Sequence, residues 1–443
     1  MEKDLEQDSY FGSEKISKIL RDIAPPVMLG LLIQALYNIV DSFFVGQYSV
    51  AGLTALSVIF PVQFVAIALA VGTGVGVNTY MARKYAQGKP QDADAAAGTG
   101  MVLELVTWAL FAAVCYAFMR PYVLTSASEE AAITAAVTYG NIVCVGSLGL
   151  FLEANWTKVQ QASGGMRLPM LAQVAGALVN IVLDPLLIFG AGPVPALGIA
   201  GAAYATVAGQ LVAAAITFFK GWRRPPAGLA AFLHYAGRIY FYGYSSILMQ
   251  ASCTVYIVIL NIILAGFSDA AVTVLGLYYK WQTFFFIPLL GLMTCIVPVI
   301  SFNYTCRRFE RCRETVKLSC YISAAFMIVG FICFVIFPEQ SLGIFSHDAA
   351  VMEIGRTAFP IIGTSFFSAV FSLMLPMVFL AIGAGRASTL LSLNRQIFCL
   401  LPSFWCFAQL GVDYTWLAFP FSETVSGGIS YYMYRRLVKS WEQ

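Results

Sequence analysis

Asp41 and Asp184 each stand inside a run of apolar residues long enough to cross a lipid bilayer, as do Glu104, Glu153, Lys158, Lys280, Arg395 and Glu423. An ionisable group in that setting costs at least about 2.5 kcal/mol on insertion scales, so each needs a chemical reason to be there. Asp41 lies five residues before Gly46 and Asp184 six before Gly190, where the apolar runs end. At a rise of about 1.5 Å per residue, both carboxylates fall roughly 8–9 Å below one face of the bilayer. Asn180 is one turn from Asp184 on the same helical face. Thr206, eight residues past Gly198 in the next run, falls roughly 12 Å deep by the same rise. Two carboxylates, an amide and a hydroxyl thus share a level, and hard oxygen donors suit a proton or Na⁺ better than a thiophilic metal. Carboxylates brought together in a low dielectric repel one another unless a proton or cation joins them, which is a physical basis for ion coupling. The alternative is that Asp41 and Asp184 separately satisfy polar contacts between helices. Pro185 favours the first reading, because it withholds an N–H beside Asp184 and can free carbonyls.

Glu104 and Glu153 form either a second polar layer or hydrogen-bonded structural contacts, and Lys158 reaches the nearer membrane face by snorkelling. Lys280 and Glu423 either pair or face a central cavity. Tyr256, Tyr279, Trp281, Phe284 and Phe285 offer ring faces to an apolar or cationic molecule, or pack in the core. The Gly72, Gly74, Gly76 run has neither the preceding strand nor the following Lys of a phosphate loop, so close helix packing explains it better. The ten cysteines show no CxxC spacing, and His234 and His347 are far apart, so no cysteine or histidine metal site is expected.

These residues must be positioned by membrane helices. Hydrophobic residues make up 59% of the 443 and charged residues 11%, against roughly 25% charged in soluble domains. A net charge of +3 without basic runs interleaved with aromatics gives no nucleic-acid partner. Apolar windows predict twelve spans at about 20–46, 53–82, 94–119, 131–159, 168–190, 197–220, 232–265, 271–301, 315–337, 352–383, 388–410 and 413–435. The acidic, polar N-terminus and the length of the first apolar run argue against a cleavable signal. Lys and Arg concentrate in alternate connections, Arg83 to Lys89 and Arg307 to Lys317 among them, while Arg120 is the only basic residue in the opposite set. Both termini are therefore expected on the cytoplasmic side.

The chain also repeats itself. An offset of 219 residues pairs Thr54 with Thr273, Gln63 with Gln282, Gly72 with Gly291, Gly164 with Gly383 and Arg167 with Arg386. Six spans per half is an even number, so the halves, 1–224 and 225–443, insert the same way up, with a substrate site expected between them. The repeat does not copy the acids: Asp41 falls on Leu260, Asn180 on Cys399 and Asp184 on Ser403. A cation site of this type is confined to the first half.

The stretch QALYNIVDSFFVG (Gln34 to Gly46), with QASGGMRLPM (Gln161 to Met170), ALVNIVLDPLLIFG (Ala177 to Gly190), LGIAGAAYATVAGQ (Leu197 to Gln210) and GIFSHD (Gly343 to Asp348), resembles the multidrug and toxic compound extrusion (MATE) transporters, particularly the bacterial branch. The resemblance covers nearly the whole chain. It implies an all-α membrane protein of two pseudo-symmetric six-helix lobes in a V. It also implies alternating-access export of organic cations and drugs across the bacterial plasma membrane, coupled to Na⁺ or H⁺ entry. Carried over by motif, the cation site falls on Asp41, Asn180, Asp184 and Thr206, with the Ala202 carbonyl. From the residues themselves, a substrate cavity is expected at Gln34, Tyr37, Gln63, Tyr256, Lys280, Gln282 and Glu423. Some members use acids in the middle of helices 7 and 10, which this sequence lacks. A monomer in membrane lipid with no cofactor beyond the coupling ion is expected. The rival reading is flipping of lipid or lipid-linked oligosaccharide by a related two-lobed fold, disfavoured by the few buried Lys and Arg. An intramembrane enzyme or receptor would need a catalytic dyad, metal cluster or sensory domain, and none is visible.

Overall fold

The computed structural model describes residues 10–124, 130–190, 195–344 and 349–441, and among them every regular element is a helix. Hydrocarbon offers no partner for backbone N–H and C=O groups, so apolar runs of this length close their hydrogen bonds within each segment. The first half comprises α1 (Ile16–Tyr48), α2 (Val50–Ala86), α3 (Pro90–Leu124), α4 (Glu130–Gly146), α5 (Leu148–Ala162), α6 (Arg167–Phe189) and α7 (Ile199–Gly221). The second comprises α8 (Leu229–Ala265), α9 (Asp269–Phe285), α10 (Ile287–Thr305), α11 (Phe309–Val335), α12 (Pro338–Gly343), α13 (Ala349–Gly363), α14 (Phe366–Ala381), α15 (Gly385–Leu393), a π-helix (Asn394–Leu400), α16 (Leu401–Ala408), α17 (Val412–Thr415) and α18 (Ala418–Trp441).

These helices trace the twelve expected segments and run several residues past most of the apolar windows, because polar end residues continue the helix. Eight are singly long and apolar enough to cross a membrane, and two more qualify when bent pairs count as one span. The bends lie at equivalent places in the repeat, 40° between α4 and α5 and 54° between α13 and α14. Serine hydroxyls donate back to carbonyls three residues earlier, Ser147 to Cys144 at 2.7 Å and Ser365 to Ile362 at 2.6 Å. The remaining segments, 385–408 and 418–441, are more polar and carry Arg395 and Glu423. Pro402 has no N–H for the preceding turn, and a π-helix leads into it.

Packing groups the chain into two compact units, Pro25–Ile247 in one and Phe11–Ala24 with Leu248–Gln443 in the other. The halves 1–224 and 225–443 follow the repeat, whereas the changeovers of packing fall inside α1 and α8, the opening helix of each half. In the second unit, residues 11–24 are anchored by Arg311, which donates to the carbonyls of Phe11 at 2.9 Å and Glu14 at 2.6 Å, and by Asn303, which donates to Phe11 at 3.0 Å. In the first unit, the opening of α8 lies on the glycine run of α2. A Cβ on Gly76 would stand 2.2 Å from the Ile239 carbonyl oxygen, and one on Gly243 would stand 2.7 Å from that of Gly72. The run is thus a packing surface, as its sequence context indicated. Tyr235 donates to Asp92 at 3.0 Å, Lys84 pairs with Asp92 at 2.9 Å, and Arg83 lies 5.0 Å from the Tyr242 ring centroid, fixing the same contact.

Candidate functional site

Small residues bring α6 and α7 into backbone contact. A Cβ on Gly209 would meet the Gly176 carbonyl oxygen at 2.6 Å, and a Cβ on Gly201 would meet that of Leu187 at 2.4 Å. Between those two touching points, Asn180 and Asp184 on α6 come level with Thr206 and Ala202 on α7. All four residues are buried, Asp184 completely. The C-terminal end of α1 joins them through Tyr48. Its ring lies 6.2 Å from that of Phe189, and it packs so tightly on Gly198 that no side chain would fit there, where φ is +58°. Asp41 is seven residues before Tyr48, two turns back on the same face. It is buried, and near enough to Asp184 for the two charges to repel.

Hydrogen bonding in this cluster is short of donors. Asn180 Nδ2 donates to Asp184 Oδ1 at 3.3 Å, and Thr206 Oγ1 donates to the Ala202 carbonyl at 3.1 Å. Asp41 Oδ1, Asp184 Oδ2 and Asn180 Oδ1 are buried acceptors without a protein partner. Buried acceptors of this kind are costly unless a donor or cation reaches them. The arrangement can therefore bind a proton or a hard monovalent cation among its oxygens. The Ala202 carbonyl, expected among the ligands, accepts the Thr206 hydroxyl. Among the described residues no group of three His, Cys, Asp or Glu is placed to hold a metal ion. The repeat-related positions of the second unit satisfy themselves: Leu260 is buried and apolar, and Ser403 donates to the Cys399 carbonyl at 2.6 Å.

The residues expected in the substrate cavity divide between the two units. Gln34 and Gln63 are half-buried in the first unit, and the Tyr37 side chain lies outside the described residues, as do Phe345 to Asp348 of GIFSHD, His347 among them. In the second unit Tyr256 is buried and takes a Cys253 thiol contact at 3.7 Å, Gln282 is half-buried and Lys280 is exposed. The pairing of Lys280 with Glu423, one of two options open in the sequence, gives way to another. Glu423 accepts from Arg395 Nη1 at 2.7 Å and from the Ser372 hydroxyl, and Ser422 donates to the Arg395 carbonyl at 2.8 Å. Sequence reasoning named Arg395 as a buried charge and gave it no partner. The available signal was the opposite charge of Glu423 in the next span.

The family model for MatE matches residues 26–186 and again 245–405, the second match beginning 219 residues after the first. Among curated proteins, an FAD transporter of Shewanella oneidensis is 23% identical over 96% of each chain. A multidrug export protein MepA of Staphylococcus saprophyticus is 24% identical over 88% of this chain and 87% of its own. Among solved structures, a MOP superfamily transporter from Pyrococcus furiosus superimposes with a TM-score of 0.91 at 22% identity over 98% of each chain. An outward-facing multidrug resistance transporter of the MATE family gives 0.90 at 21% identity over 97% of each.

Proposed function

Since this chain belongs to the MatE family, whose members are membrane transporters and not enzymes, we propose that it is a secondary antiporter. In this reading it exports small organic, cationic molecules across a bacterial plasma membrane, both termini cytoplasmic, driven by entry of H⁺ or Na⁺ into the first unit. The observation that carries the reading is the buried pair Asp41 and Asp184, with the unpartnered oxygens Asp41 Oδ1, Asp184 Oδ2 and Asn180 Oδ1 beside the Thr206 hydroxyl. A cation joining the two carboxylates removes their repulsion and lets α1 settle against α6 and α7. The state so stabilised differs from the empty one by the affinity the cation has for it, and that difference is the coupling energy available to expel substrate. Asn180 orients the Asp184 carboxylate, and Thr206, its hydrogen committed to Ala202, offers lone pairs.

The test is efflux of a fluorescent organic cation from proteoliposomes under separately imposed pH and Na⁺ gradients, comparing the wild type with Asp41→Asn at equal reconstitution. A response to one gradient that disappears in the variant is expected; unchanged efflux overturns the role of Asp41. A second reading, export of a flavin nucleotide, rests on the Shewanella relative named as an FAD transporter, which matches 96% of each chain. Counterflow with labelled FAD in the same vesicles separates the two cargoes.

A further inference from the structure

Glu104 is fully buried in α3, and neither carboxyl oxygen has a protein partner. One turn before it stands Gly100, where a Cβ would lie 2.5 Å from Asn155 Oδ1 on α5 and 2.5 Å from Val77 Cγ2 on α2. Helical side chains lean toward the N-terminus of their helix, which directs Glu104 back over the Gly100 turn, the turn that Asn155 packs against. Asn155 Nδ2 donates to the Ala97 carbonyl at 3.4 Å, so the amide is held with its oxygen outward, and that oxygen is buried and unpartnered as well. The Glu104 carboxyl oxygens and Asn155 Oδ1 thus all lack a hydrogen-bond partner in the protein.

No neighbouring charge relieves this. The titratable groups on helices packed against α3 are Tyr80, Arg83, Lys84 and Tyr85 of α2, Glu130, Tyr139 and Cys144 of α4, and Glu153 and Lys158 of α5. Lys84 holds Asp92, Arg83 lies over the Tyr242 ring, Glu153 accepts the Thr157 hydroxyl at 2.6 Å, and Lys158 donates to Gln161 at 2.9 Å. Among the described residues none of them hydrogen-bonds to the Glu104 carboxyl. An unpaired carboxylate in such a place is expensive, and a proton is the one cation that needs no coordination shell.

We propose that Glu104 is a second proton-binding station of the first unit, its acid O–H donating to Asn155 Oδ1, and that it gains and loses that proton during the transport cycle. This rests on the ion-coupled reading above but uses none of the residues around Asp41. Infrared difference spectra of the reconstituted protein, acid minus alkaline, are expected to contain a protonated-carboxyl band that is lost in Glu104→Gln and retained in Asp41→Asn. The same spectrum in wild type and Glu104→Gln overturns the assignment, whatever Asp41 does. In proteoliposomes Glu104→Gln is expected to keep substrate–substrate exchange and lose at least tenfold of the export driven by a pH gradient; equal export overturns the cycling. Should Glu104→Gln fail to fold, Asn155→Leu retains the carboxyl and removes its acceptor. That variant is expected to shift the band, and an unmoved band overturns the pairing.

Discussion

Arg395 Nη1 lies 2.7 Å from Glu423 Oε1, so the second unit keeps its buried charges paired, whereas among the described residues no basic group pairs with the buried Asp41 or Asp184 of the first unit. Neutralising the acid of such a pair strands the guanidinium. Both side chains are 12% exposed, and breaking a buried pair from one side costs about 3–5 kcal/mol. Glu423→Gln is expected to lower the melting temperature in detergent sharply, and Arg395→Met with Glu423→Leu to recover much of the loss. A double variant no more stable than the single one would show that the pair is not a closed unit.

The first unit predicts the reverse sign. Asp41→Asn removes repulsion with Asp184, so the variant is expected to be at least as stable as the wild type when no coupling cation is present. Ligand binding stabilises the native state by about 2.7 kcal/mol at one hundred times Kd. A melting temperature that rises with Na⁺ or with acid in the wild type is therefore expected to become flat in Asp41→Asn. Thermal melts across a Na⁺ series and a pH series check both.

Gly76→Ala places a methyl group against the backbone oxygen of Ile239, which has no rotamer by which to retreat. Overpacking of this kind costs about 1–3 kcal/mol or more. Gly237→Ala, whose Cβ would meet nothing within 4 Å, is the control and is expected to gain about 0.5–1 kcal/mol from helix propensity. Melting curves of the two in the same detergent check the contrast.

Arg311→Met keeps the aliphatic stem and removes the donors to Phe11, Glu14 and Asn303. Hydrogen bonds from a charged donor contribute about 1.5–3 kcal/mol. Amide exchange at residues 16–23 is expected to rise by about one order of magnitude or more while exchange in α6 and α7 stays unchanged. Equal exchange along the whole chain would mean that the segment is held by its apolar contacts alone.

Part of the site was legible before any coordinates. Asn180 and Asp184 are four apart on one helix, so their contact follows from helical geometry alone. The level of Thr206 followed from counting residues into an antiparallel neighbour. The use of the Ala202 carbonyl by Thr206 is a habit of threonine inside helices, and the motif resemblance passed over it. Gly100 carried no sign in the sequence that its missing side chain leaves room for Asn155 and Val77.

Hydropathy, charge placement and self-similarity are properties of the chain in one dimension, and they determined the membrane class, the twelve segments and the duplication at 219 residues. Tertiary structure decided which partner each buried charge takes and which unit the opening turns of α1 and α8 join. Those choices depend on the rotation of each helix about its own axis and on which backbones can touch, and packing between distant segments sets both. Arg395 meets Glu423 instead of Lys280 for that reason.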